Sequence, residues 1–352
     1  MSPRAGFVLA AALGLWPCLL SGAVAWRHVL DQPPAWYASA EAAGIAAAVV
    51  AYQSPEGGWA KNTDMTAPPP ASHGSGKPAD RAPTIDNGAT TTQLRYLARV
   101  IVATGDAQLK ASFTRGFDYL LAAQYENGGW PQFYPAMRGY YSHITYNDNA
   151  MVNVLTLLRE CAQGESRFAF VDAARRARAR DAVAKGVACI LRTQVRQDGR
   201  LTAWCAQHDE HTLEPAWARA FEPPSLSGME TVGIVRFLMG EEPTPEIAAA
   251  IEGAVAWLEA VQIRGLRADF VTASDGKRDR LAVADPAAPP IWARFYELGT
   301  NRPLFLGRDR VFHYDHNEIE RERRAGYAYL GDWPAKLLAQ DYPRWRAKHN
   351  LP

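Results

Sequence analysis

Glutamine returns at positions 53, 124, 194 and 262, at intervals of 71, 70 and 68 residues, and each time it closes a stretch with helical periodicity. The stretches are ASAEAAGIAAAVVAYQ, ASFTRGFDYLLAAQ, DAVAKGVACILRTQ and IAAAIEGAVAWLEAVQ. Alanine and leucine dominate them, and apolar positions recur every three or four residues, as a helix burying one face requires. The first three glutamines lead into turns rich in Gly, Asp, Glu or Asn, in QSPEGGWAKN, QYENGGWPQFYP and QVRQDGRLTAWC. A second helical segment follows in each unit: NGATTTQLRYLARVIVAT, NDNAMVNVLTLLRECAQ and LSGMETVGIVRFLMG. Asn, Ser or Asp stands near the start of each, where a side-chain oxygen can accept from unsatisfied helix N–H groups. A unit of helix, decorated loop and helix cannot bury its apolar face alone. Its repetition predicts an array or closed ring of helical hairpins.

The fold class expected is therefore all-α: one α/α toroid, an incomplete barrel of helical hairpins whose long irregular loops form a central cleft. With 352 residues, 48% of them hydrophobic, the chain can bury a substantial core. Few stretches show sustained two-residue alternation, so little sheet is expected. The segment 64–83, DMTAPPPASHGSGKPADRAP, holds too many prolines for regular helix and reads as an exposed loop.

The N-terminus carries Arg4, an apolar stretch and a small-x-small ending at Ala23-Val24-Ala25. This predicts a secretory signal peptide over residues 1–25, a cut before Trp26, and a single domain over 26–352 that is secreted or periplasmic. No other segment reaches membrane-spanning length, so no membrane association is expected after processing. Without residues 1–25 the chain keeps 37 acidic residues and 37 of its 38 basic ones, which gives no support to general nucleic-acid binding. Cys161, Cys189 and Cys205 remain, an odd number without metal-ligand spacing, and read as buried small hydrophobes.

Two carboxylates then stand out. TIDNGATTTQ places Asp86 and Asn87 at the start of one second helix, and ITYNDNAMVN places Asp148 at the next. They lie 62 residues apart, close to one repeat, so a toroid can bring both to neighbouring places on one rim. The bland alternative is that both are simple helix caps. Oxygen ligands without His or Cys partners suit calcium better than zinc. A basic set accompanies them: Lys61 in WAKN, Arg219 in AWARAFEPPSLSG, Arg294 in IWARFYELGT, and Arg302, Arg308 and Arg310 in NRPLFLGRDR. Rigid aromatic, Pro and Gly surroundings can hold a guanidinium where it grips a carboxylate through two parallel hydrogen bonds. Such a cleft suits a carboxylated sugar chain, with Trp59 and Trp130 either stacking on sugar rings or wedging adjacent hairpins apart.

The ordered series GGWAKN, TIDNGAT, GGWPQFYP, ITYNDNAM, TAWCAQHD, PSLSG, ARFYEL and NRPLFLGRD resembles the pectate lyases of polysaccharide lyase family 10, over about residues 35 to 340. The resemblance implies a toroid that cleaves polygalacturonate by calcium-assisted β-elimination. By matching motif, Arg308 would be the base that removes the C5 proton. Asp86 and Asp148 would hold calcium together with substrate carboxylates, with Asn87 close by. Arg219, Arg294, Lys61 and Asn87 would bind substrate, in a protein expected to be monomeric.

Three alternatives remain open at the level of sequence. A toroid-fold glycoside hydrolase acting on acidic polysaccharide would use Asp86 with Asp148, or Glu210 and Glu214, as its two carboxylates. A terpenoid-cyclase toroid shares similar loops, but its Asp-x-Asp-Asp motif is absent here. A non-catalytic pectin-binding protein would keep the cleft without turnover. A serine-hydrolase triad has no G-x-S-x-G support, and His208 and His211 read as loop histidines, with His208 at the cleft.

Overall fold

The structure, a computed structural model, describes residues 24–72 and 78–350, so the expected signal segment lies almost entirely outside the described residues. The helices run in chain order as α1 (Ala40–Ala51), α2 (Pro78–Arg81), α3 (Thr91–Thr104), α4 (Ala107–Ala122), α5 (Ala150–Gln163), α6 (Ala173–Thr193), α7 (Glu230–Leu238), α8 (Pro245–Ala260), α9 (Arg321–Gly326) and α10 (Tyr342–Lys348). Two layers emerge. The first helices of the repeats pack in series, α1 on α4, α4 on α6, α6 on α8, and the second helices do the same, α3 on α5 and α5 on α7. The inner faces of α3, α5 and α7 carry fully buried Leu94, Leu97, Leu155, Leu158, Ile234 and Leu238.

The layers start differently, and the difference serves the site. The outer helices are capped by side chains: Ser39 accepts from Ala42, Asp106 from Gln108 and Leu109, Asp172 from Arg175, and Thr244 from Ile247. Each such cap contributes about 1 kcal/mol. The inner helices α3 and α5 have no side-chain cap, and tight turns carrying Asp86 and Asp148 precede them. Those aspartates are therefore not helix caps.

Each repeat is pinned by the same two side chains. The Gln53 amide donates to Gly57 O in its own loop and to Ser112 O on α4. Gln124 repeats this with Gly128 O and Ala182 O on α6, and Gln194 with Thr202 O and Ala250 O on α8. The loop tryptophans are fully buried, and Trp59, Trp130, Trp204 and Trp292 each donate their indole N–H to a carbonyl at the end of the preceding outer helix, Val49, Leu120, Ile190 and Leu258. Trp59 and Trp130 thus wedge hairpins and do not face a substrate. Gly128 shows why the loop needs glycine: its φ is +93°, and a Cβ would lie 2.1 Å from Lys185 O.

The all-α expectation is wrong: the chain is mixed helix and sheet. Among the described residues twelve strands, all in antiparallel pairs, occupy segments between and after the helices: β1 (Ile144–Thr145), β2 (Arg196–Gln197), β3 (Arg200–Leu201), β4 (Gln207–His208), β5 (Leu226–Ser227), β6 (Leu266–Thr272), β7 (Arg278–Ala284), β8 (Trp292–Ala293), β9 (Phe295–Tyr296), β10 (Pro303–Leu306), β11 (Phe312–His313) and β12 (Leu330–Gly331). The largest sheet has the order β11-β10-β9-β5, and β6 with β7 forms a long hairpin. Backbone groups in loops that cross a buried rim must find partners, and two-residue pairings supply them without a long alternating pattern in the sequence. Within 64–83 the structure differs too, with one turn of helix at α2.

Candidate active site

The short turns Asp86–Gly88 and Asn147–Asn149 pack against each other, so the structure brings the two predicted carboxylate segments together. Their register differs from the expected one. Thr84 N donates to Trp59 O, Thr145 N to Trp130 O and Ser227 N to Trp204 O, which makes Thr84, Thr145 and Ser227 equivalent. Counting on from them, Asp86 matches Asn147 and Asn87 matches Asp148. Asn87 and Asp148 share one left-handed conformation, φ 51° and ψ 32°. Short polar side chains tolerate that conformation best, which explains Asn and Asp at this place. In the third repeat the same place holds Glu230.

Each carboxylate already faces a cation. Lys61 Nζ lies 2.5 Å from Asp86 Oδ2, and the same oxygen accepts from Gln132 Nε2 at 2.6 Å. Arg294, only 4% exposed, donates through Nη2 to Asp148 Oδ1 at 3.1 Å, to Asn147 Oδ1 at 3.0 Å and to Glu230. Burial on its own would lower the Arg294 pKa, but Glu230, then Tyr327 and Asp148, outweigh it and hold the guanidinium charged. Its Nε is buried without a partner, and so is Gln132 Oε1 beside Asp86. One orphaned donor and one orphaned acceptor in this rim are what a site awaiting a carboxylate and a cation leaves open. Asn87 donates to Asn62 Oδ1, and Lys61, Asn62 and Asn87 line a groove of about 570 Å³ with Trp26 and Asp64.

The other arginines stand further out. Arg219 forms a bidentate pair with buried Glu222, at 2.8 Å and 2.5 Å. Its guanidinium lies 5.5 Å from the Tyr327 ring centre, and Arg294 lies 4.7 Å from the same ring. Arg308 is more remote: its side chain is 62% exposed, pairs with Glu322, and sits 5.7 Å from the Phe221 ring that Arg219 also covers. Contacts link Asp148 to Arg294, Arg294 to Arg219 through the Tyr327 ring, and Arg219 to Arg308 through the Phe221 ring.

Comparison with known proteins decides the family. A family model described as pectic acid lyase matches residues 53–338. The chain belongs to the pectic acid lyase family. Among solved structures, the family 10 polysaccharide lyase from Cellvibrio cellulosa is 33% identical, with a TM-score of 0.77 over 93% of this chain and 97% of that one. A mutant of the same Cellvibrio cellulosa enzyme, in complex with trigalacturonic acid, is 33% identical with a TM-score of 0.77 over 91% and 96%. A comparison with curated proteins gave no match. Its activity is that of a pectate lyase, a polysaccharide lyase, and the hydrolase, cyclase and non-catalytic alternatives fall away.

Two polar residues of the lyase's rim escaped the sequence reading. Gln132 lies inside GGWPQFYP, where a neutral amide among aromatics carries no signal of its own; its neighbour Phe133 has Lys61 Nζ 5.5 Å from its ring centre. Glu230 lies in PSLSGME, and the repeat would have pointed to it had the three segments been aligned on Thr84, Thr145 and Ser227. His208 does not line the cleft: it is fully buried, with Nδ1 bonded to Leu213 O and Nε2 accepting from Cys205 N. The three described cysteines are free and buried. A second group with metal-ligating chemistry, His143, Asp209 and Glu210, includes neither aspartate and has His143 Nδ1 2.8 Å from Glu210 Oε2. Its imidazole makes it a poorer match for calcium than the oxygen-only rim. No helix among the described residues is long and apolar enough to cross a membrane.

Proposed function

We propose that this lyase cleaves (1→4)-α-D-galacturonan by calcium-assisted β-elimination, is secreted after loss of residues 1–25, and releases 4,5-unsaturated oligogalacturonides. The observation that carries this reading is the pairing of two adjoining carboxylates with two cations at one rim: Asp86 with Lys61, Asp148 with Arg294. Asp86 and Asp148 would hold the ion, and the orphaned Gln132 Oε1 adds a third oxygen of the right hardness. Substrate carboxylates and water complete such a shell. When bound, calcium supplies positive charge next to the uronate carboxylate.

The chain's own residues account for the rest. Lys61 and Arg294 meet uronate carboxylates, and the unpartnered Nε of Arg294 is available for one of them. Removal of the C5 proton leaves an electron pair that delocalises onto the adjoining carboxylate, where these cations stabilise it more than in the ground state. The pair then forms the C4–C5 double bond as the bond from C4 to the glycosidic oxygen breaks. The departing oxygen takes a proton from solvent. A guanidine takes the C5 proton, and by motif it is that of Arg308.

A second reading gives the proton to Arg219, and the geometry favours it. Arg219 shares the Tyr327 ring with Arg294, whereas Arg308 stands one ring further from Asp148. Both guanidines are scarce in neutral form, because Glu222 holds Arg219 charged against its burial and hydrogen bonds to Glu322 raise the Arg308 pKa. Activity should therefore rise into alkaline pH. The test is to incubate the wild type, Arg219→Lys and Arg308→Lys with polygalacturonate, with calcium or chelator, and follow ultraviolet absorbance of the conjugated product. The wild type should absorb only with calcium, and the variant lacking the base should lose about 10²-fold or more in kcat while still binding substrate. New reducing ends without absorbance would overturn elimination.

A further inference from the structure

We propose that Trp217, Arg310 and Phe312 form a distal subsite that grips a uronate ring further along the same polysaccharide chain; this rests on the pectate reading above. The hairpin of β10 and β11 pairs Phe305 with His313 and Leu306 with Phe312, so residues 307–311 form its tip. The tip faces the loop 215–223 through two aromatic rungs. On the first, Arg219 and Arg308 lie 4.9 Å and 5.7 Å from the Phe221 ring centre. On the second, Arg310 lies 5.4 Å from the Trp217 ring and Phe312 stands 6.3 Å from it, tilted by 37°. The two rungs lie side by side between the same loop and the same hairpin tip.

Three features set the second rung apart from ordinary surface. Trp217 and Phe312 are 36% and 41% exposed, and Val311 between them and Arg310 is 49% exposed. Large apolar groups left in water side by side mark a contact surface more often than single ones do. Arg310 is left without a carboxylate: its guanidinium has no hydrogen bond or ion pair among the described residues, unlike Arg219, Arg294 and Arg308. Its backbone adopts φ 66°, a left-handed conformation that arginine rarely takes and that costs of order 1 kcal/mol. The strain holds a free cation beside an open aromatic face.

A galacturonate unit offers a face of C–H groups and, at its edge, a carboxylate. Trp217 takes the first, as aromatic rings take apolar surface, and Arg310 takes the second in a charge-assisted hydrogen bond. Continuity with Arg219 and Arg308 makes a longer stretch of the same acidic chain the occupant.

The experiment compares trigalacturonate with hexagalacturonate and polygalacturonate, using wild type, Trp217→Ala and Arg310→Gln. Calorimetric binding is measured alongside turnover. The wild type should prefer the longer chains, and either substitution should raise their Kd and KM about tenfold, the size of one lost charge-assisted contact, and so erase the preference. Equal losses on trimer and polymer, or a preference left intact, would overturn the subsite. Absence of an elimination product in the wild type would instead count against the reading of activity. Binding of hexagalacturonate would still judge the subsite in that case, supported if Arg310→Gln abolished its advantage over the trimer and overturned if it did not.

Discussion

At the scale of single residues, what separates the two candidate bases is the glutamate each one carries. Glu222 is buried and grips Arg219 in two places, while Glu322 is exposed and is shared by Arg308 and Arg323. Removing Glu222 leaves burial as the leading influence on Arg219, which lowers its pKa and puts more guanidine in neutral form at a given pH. If Arg219 is the base, Glu222→Gln should move the pH–rate profile toward lower pH, and Glu322→Gln should leave it in place. The reverse pattern would return the role to Arg308. At this scale the sequence was partly legible. Motif order picked out Asp86, Asp148, Lys61 and Arg294, which meet as ion pairs. It said nothing of Gln132 or Glu230, because a neutral amide and a glutamate in a helix's first turn carry no signal until three-dimensional equivalence aligns the repeats.

At the scale of elements, the glutamine period was the clearest message in the chain, and its physical content is now specific. Gln53, Gln124 and Gln194 each tie their own loop to the next outer helix. Gln262 follows the last outer helix and has no next outer helix to bond. Among the described residues its side-chain oxygen accepts from neighbouring Arg264 alone. Gln124→Ala should therefore cost about 1–3 kcal/mol, since it strands the buried carbonyl of Gly128 and removes the tie to Ala182 O, which keeps only its own helix bond. Gln262→Ala should cost less than about 0.5 kcal/mol, as an ordinary surface substitution does. Denaturant titration of the two variants checks the contrast, and equal losses would remove the architectural meaning of the repeat. The strands were the illegible part. Asp275-Gly276 between β6 and β7 was a hairpin signal left unused. The two-residue strands had no signal to give: a pair of residues shows no alternation, and its pairing is decided by the rim it crosses. Short strands carry the site, with β8 and β9 flanking Arg294, β1 leading to Asp148, and four-residue β10 with β11 presenting Arg308.

At the scale of the whole molecule, pH acts on fold and chemistry in the same direction. His208 is locked as a neutral tautomer between Leu213 O and Cys205 N–H, and burial lowers its pKa to about 4. His316, edge-on to Phe305 and Tyr329, is lowered to about 4 as well, by burial and then by Arg280. In the unfolded chain an imidazole titrates near about 6.5, so between roughly pH 6.5 and 4 the unfolded state binds more protons than the native one. Stability contributed by neutral imidazole is thus complete above that window and declines as pH falls through it. At pH 5 the loss is about 2 kcal/mol for each ring. Glu222, whose pKa Arg219 lowers against burial, adds its own loss only below the ordinary carboxylate range. The melting temperature should therefore fall by several degrees between pH 7 and pH 5, before carboxylates contribute. His316→Phe, which keeps the ring and removes the proton site, should flatten that slope. A melting temperature constant from pH 7 to pH 5 would show that neither imidazole is held neutral. A guanidine base would ask for the opposite end of the scale, since its neutral fraction grows only as pH rises. With such a base, acid would take away the packed interior and the proton acceptor together, and activity is expected only under neutral and alkaline conditions.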